Sequence, residues 1–175
     1  MSARRSVLLA SVLLLVGAEP HAQPQTDAAR QLVGTWRLVS WTNRLADGRT
    51  QSNLRSGYLM YSDENRMCAV LIDPKAPKWG DPRQPTGTEA ISGFAGLTAY
   101  CATYEINIQE RSVVHHVDIE AKPNLVGIER KRFFIFEGRN RLSLRIETSE
   151  LAGVNSATLE FERVEAASPN AGRGR

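Results

Sequence analysis

The run Tyr100-Cys-Ala-Thr-Tyr-Glu-Ile-Asn-Ile-Gln-Glu-Arg-Ser-Val-Val-His-His-Val-Asp-Ile119 decides the fold class. Its first half sets Ala102, Tyr104, Ile106 and Ile108 at alternate positions; its second half does the same with Val113, His115, Val117 and Ile119. A period of two belongs to a strand, whose successive side chains point to opposite faces. The polar Gln109-Glu-Arg111 between the halves reads as a turn, so the two runs form a hairpin.

The same pattern extends in both directions. Upstream, Thr35–Thr42 ends at an Asp47-Gly48 turn, and Ser56–Tyr61 and Arg66–Ile72 flank Ser62-Asp-Glu-Asn65. Downstream, Gly127–Phe136 turns at Glu137-Gly-Arg-Asn140 into Leu142–Ile146, and Ala157–Val164 ends the series. Eight strands joined mostly by short turns predict an all-β, antiparallel up-and-down barrel, because closure removes exposed sheet edges. One connection differs. Residues 73–90 contain Pro74, Pro77, Pro82 and Pro85, which cannot continue a ladder. Ile91, Phe94 and Leu97 then recur every three residues and predict a short helix over one barrel mouth, as a plug completing the core or as a lid over a cavity.

The ends carry no strand pattern. Arg4 and Arg5 precede the apolar run Ser6–Val16, too short to span a bilayer comfortably and followed by small residues. Residues 1–22 are therefore expected to be an export signal, cleaved after Ala18 or Ala22, leaving a periplasmic or secreted protein. Residues 23–30 read as a polar spacer, 31–164 as one folded domain, and 165–175 as a disordered tail.

Composition narrows the function little. The 175 residues are 42% hydrophobic and 23% charged, with a net charge of +3. Loss of residues 1–22 removes two positive charges and one negative, leaving +2. No basic stripe of the kind that binds nucleic acid is visible. No other run approaches membrane length.

The motifs Leu32-Val-Gly-Thr-Trp-Arg-Leu-Val-Ser40, Gly57-Tyr-Leu-Met-Tyr61, Tyr100-Cys-Ala-Thr-Tyr-Glu105, Val114-His-His-Val117, Pro123-Asn124 and Arg132-Phe-Phe-Ile-Phe136 together resemble the bacterial and fungal lipocalin-like domain family. The resemblance spans about residues 31–164 and implies a lipocalin-like barrel; the family has no uniform activity, so it implies no reaction. It also implies that the Trp of Gly34-Thr35-Trp36 packs at the closed barrel end beneath a basic side chain from the last strand. Leu159, Phe161 and Arg163 share one face there, which identifies Arg163 as that side chain.

Candidate chemistry centres on the strand with two histidines. By alternation His115 faces inward with Val113, Val117 and Ile119, while His116 faces solvent with Asp118 and Glu120. Adjacent strand residues cannot clasp one metal ion, and two cysteines are too few for the usual zinc sets, so no metal site is expected. Neither a nucleophile elbow nor a Gly-rich phosphate loop is present, and no cofactor is expected. His115 reads either as a hydrogen-bonded core residue or as a polar contact or general base in a cavity, with Tyr104 and Arg132 from flanking strands as partners. Arg132 faces inward if Phe134 and Phe136 do, and outward if Phe133 and Ile135 form the inner face. No inward carboxylate is evident on the neighbouring strands, which makes a ligand the expected partner of an interior Arg132.

An exported chain with two cysteines favours a disulfide. Cys68 and Cys101, however, lie near the starts of successive strands. In an antiparallel pair those starts are about 10–15 Å apart at about 3.4 Å per residue, beyond disulfide reach. Two buried, unpaired thiols are expected. The functional expectation is a protein that binds a small hydrophobic molecule, neutral or anionic, in the barrel cavity. The alternatives are a cofactor-independent cyclase or isomerase using the same cavity, and a structural barrel with a filled core.

Overall fold

Trp36 and Trp41 are an odd number of residues apart, so strict alternation would send them to opposite faces. Both face the interior. Strand β1 (Gly34–Leu45) carries a bulge where Leu38 pairs with Phe161 and Ser40 with Glu160, turning Val39 outward and resetting the alternation.

The computed structural model describes residues 24–147 and 153–165; the expected export segment and residues 166–175 lie outside the described residues. After β1 come β2 (Thr50–Ser52), β3 (Ser56–Tyr61), β4 (Arg66–Ile72), β5 (Thr98–Asn107), β6 (Ser112–Glu120), β7 (Glu129–Glu137), β8 (Arg141–Glu147) and β9 (Val154–Arg163). The sheet runs β1-β3-β4-β5-β6-β7-β8-β9, antiparallel throughout, and β9 pairs back onto β1. Eight strands thus close an up-and-down barrel. The ninth, β2, is an outrigger on the far end of β1, with Arg44 opposite Thr50; it is too short to leave an alternation in the sequence.

One end of the barrel is sealed by chain that precedes it. Within the stretch read as a polar spacer, helix α1 (Pro24–Leu32) forms and buries Leu32. Trp36 is fully buried and donates its Nε1–H to the Leu32 carbonyl at 2.8 Å. The Arg163 guanidinium lies 4.1 Å from the centre of the Trp36 ring system. It donates to the carbonyls of Val33 at 2.8 Å and Arg139 at 3.0 Å, and to that of Gln31. A single side chain therefore ties α1, β1, β9 and the β7–β8 turn together.

The opposite end is open. Helix α2 (Gly87–Ala95) stands there in the β4–β5 connection, started by a capping box between Thr86 and Glu89. The predicted helix is present, but its apolar stripe does not fill the core: Ile91 is 73% exposed, Phe94 is half exposed, and none of its side chains is buried. Among the described residues, no helix is long and apolar enough to cross a membrane.

Cys68 and Cys101 form a disulfide, which corrects the expectation of free thiols. They face each other in the β4–β5 register, with Cα atoms 4.1 Å apart. The error lay in matching strand starts to strand ends. β5 overhangs β4 by several residues at the closed end, so its fourth residue falls opposite the third residue of β4. Both cysteines alternate with core residues and lie half-buried on the outer wall.

Candidate functional site

His115 enters the interior from the middle of β6, flanked along the strand by the buried Val113 and Val117. The alternation then breaks. Val117 pairs with Ala102 but Ile119 with Cys101, so one extra residue, Asp118, bulges out. Ile119 consequently faces solvent at 61% exposure, and the Glu120 side chain turns in, 2% exposed. This corrects two sequence expectations: Ile119 does not share the inner face, and an inward carboxylate does exist. His116 is on the outer wall, 3.2 Å from Glu129 and 3.7 Å from Glu105.

Both ring nitrogens of His115 are engaged. The Tyr61 hydroxyl is 2.7 Å from Nε2 and the Tyr100 hydroxyl is 3.0 Å from Nδ1. Complete burial, reinforced by the positive charges of Arg132 and Arg130, holds the His115 pKa well below the ordinary histidine value, so the ring is neutral. Burial, with the neighbouring Tyr100, pushes the Tyr61 hydroxyl well above the usual tyrosine value. His115 and Tyr61 are thus both uncharged.

Tyr104 also points inward, opposite His115 in the β5–β6 register, yet it does not reach the same space. Its hydroxyl donates to the Ser62 carbonyl at 2.7 Å, and its ring meets Tyr61 edge-on at 5.0 Å. It braces Tyr61 below the site. Arg132, opposite Val113, is 6% exposed and faces inward with Phe134. Phe133 is on the outer wall between Lys131 and Arg145, which settles which face of β7 is internal. Arg130 follows the same alternation inward; it pairs with Glu120 at 2.9 Å and stacks on the Tyr100 ring at 4.4 Å.

Several of these groups border a cavity of about 220 Å³ that opens at the α2 end of the barrel. Trp41, Leu59, Leu71, Ile146, Leu159 and Phe161 form its apolar walls. Tyr100, His115, Glu120, Arg130 and Arg132 make one polar side, and Lys122 stands at the mouth. The structure thus brings His115 and Arg132 together at the cavity and leaves Tyr104 outside it. Sequence reasoning missed Tyr61, Tyr100, Arg130 and Glu120. Tyr100 was accessible, since it shares the parity of Ala102 and Tyr104; Glu120 was not, because alternation cannot register a bulge. Among the described residues, no group of three or more His, Cys, Asp or Glu side chains could hold a metal ion.

Two solved structures are similar in outline. A de novo designed fluorescence-activating β-barrel shares 15% identity over 79% of this chain and 98% of its own, with a TM-score of 0.42. A mutant of the fluorescent protein UnaG shares 13% identity over 77% of this chain and 97% of its own, with a TM-score of 0.35. No curated protein sequence matches the chain. The family model of the lipocalin-like domain matches residues 33–168, the whole barrel, and the chain belongs to the lipocalin-like domain family.

Proposed function

We propose that the protein is an exported carrier that holds one small apolar molecule inside the barrel. The observation that carries this reading is the cavity, apolar on most sides and polar on one. Such an arrangement fixes the orientation of a ligand whose affinity comes from burial. A ligand with a polar or anionic end fits this side, where, among the described residues, Arg130, Arg132, Lys122 and Glu120 border the space. The Cys68–Cys101 disulfide supports export, because such bonds persist in oxidising compartments. The expected signal segment supports it independently. Proton-moving catalysis by His115 finds no support, as two tyrosines occupy its nitrogens.

Native mass spectrometry of protein purified from its own host tests the proposal. The expected result is a small-molecule mass that disappears on denaturation. A bare polypeptide mass, with no uptake of apolar anions on titration, would exclude the carrier.

A further inference from the structure

We infer that Tyr100 presents its hydroxyl hydrogen to the cavity and selects ligands that place a carbonyl or carboxylate oxygen beside it. The inference rests on the carrier reading above and names the residue that gives it specificity.

It follows from counting hydrogens around His115. A neutral imidazole offers one N–H donor and one bare acceptor nitrogen. Two hydroxyls flank the ring, so one donates to it and the other accepts from it. Two arrangements satisfy the ring, and they differ in what they leave over. If Nε2 carries the hydrogen, Tyr61 accepts, and its own O–H must find another acceptor. Tyr61 is 3% exposed and does not border the cavity, and among the described residues its hydroxyl has one hydrogen-bond partner, Nε2 of His115. A donor would then be stranded in the core, which proteins avoid. If instead Nδ1 carries the hydrogen, Tyr61 donates to Nε2 and is satisfied. Tyr100 then accepts from Nδ1, and its O–H is released.

That hydroxyl belongs to a residue on the cavity wall. The Arg130 guanidinium over the Tyr100 ring holds the ring plane, and the Nδ1–H···O bond fixes the oxygen, so the hydrogen is offered to an occupant. His115 is a positioning residue here. It occupies one lone pair of the hydroxyl and leaves the donor. An occupant without an acceptor would leave that donor unmet, so the site discriminates against pure hydrocarbons. The volume equals that of about seven waters at about 30 Å³ each, which admits a short chain or one to two fused rings.

Three probes of one shape separate the possibilities: 1-methylnaphthalene, 1-naphthaldehyde and 1-naphthoate, titrated by quenching of tryptophan fluorescence into wild type and Tyr100→Phe. The wild type should bind the aldehyde more tightly than the hydrocarbon. Tyr100→Phe should weaken the aldehyde about tenfold and leave the hydrocarbon within about twofold. Equal losses for both, or no loss for the aldehyde, would overturn the role of Tyr100 while leaving the carrier intact. No binding of any probe by the wild type would overturn both readings. A second measurement needs no ligand: nitrogen–proton correlation NMR of the wild-type His115 ring should show hydrogen on Nδ1 and none on Nε2, and the reverse tautomer would overturn the proposal.

Discussion

Gly34 and Arg163 compete for the same space: a Cβ built on Gly34 would lie 2.4 Å from Nη1 of Arg163. The guanidinium has no freedom to withdraw, because the carbonyls of Gln31, Val33 and Arg139 hold it over Trp36. Gly34 also has φ +137°, a backbone region that other residues rarely adopt. The glycine and tryptophan of the opening motif are thus two parts of one closure, in which glycine makes room for the arginine that covers tryptophan. Gly34→Ala should lower stability by about 2–3 kcal/mol, read from urea unfolding. A change below about 0.5 kcal/mol would show that Arg163 moves aside without loss.

The disulfide closes a loop of sequence separation 33, which contains the proline-rich connection and α2. Constraining a loop of that length in the unfolded chain contributes about 3–4 kcal/mol. Reduction, or paired substitution of Cys68 and Cys101 by serine, should lower the unfolding free energy by about that amount. Thiol counting on the denatured, non-reduced protein should find none free; two free thiols would contradict the disulfide.

Most of the barrel was legible in the sequence, because a two-residue period survives wherever a strand is regular and one face is buried. What escaped it has identifiable causes. The bulge at Asp118 inverts the facing of Ile119 and Glu120, and no count of alternating residues registers an inserted one. The bulge at Val39 likewise brings Trp41 to the cavity wall. β7 is apolar on both faces, so Arg132 could be oriented only once Phe133 was seen on the outside beneath two cations. Of the two partners of His115, Tyr61 escaped for another reason. Tyr61 comes from β3, two strands beyond β5 in the wall, and reaches His115 across the interior, a contact fixed by closure rather than by neighbouring strands.

His115 makes stability depend on pH, with a definite sign. In the unfolded chain it takes a proton near its ordinary value of 6.5; in the fold, burial and the adjacent arginines hold its pKa well below that. The unfolded state therefore binds more protons as pH falls below about 6.5, and native stability falls with it. The contribution is fully present above the unfolded pKa and declines by up to about 1.4 kcal/mol per pH unit until the native pKa is reached. Between about pH 7.5 and pH 5, wild type should lose about 2 kcal/mol more than His115→Gln, measured by urea midpoints at each pH. Parallel profiles would mean that the ring takes up a proton inside the fold.

Arg132 offers the sharpest test of whether the carrier reads charge. Its side chain is almost wholly buried and borders the cavity, and its field reaches both His115 and Tyr61 at the polar side. A carboxylate bound beside Tyr100 would lie in that same field, where the surrounding apolar walls weaken solvent screening. A neutral carbonyl in that position would gain much less. Arg132→Gln keeps a polar, hydrogen-bonding but shorter side chain and removes the charge. It should therefore weaken binding of 1-naphthoate by about 1.5–3 kcal/mol, while 1-naphthaldehyde loses less than about 0.5 kcal/mol. Parallel titration of the two probes into wild type and variant measures the difference directly. Equal losses would trace the effect to altered packing around the guanidinium, and unchanged affinity for both would remove Arg132 from ligand recognition.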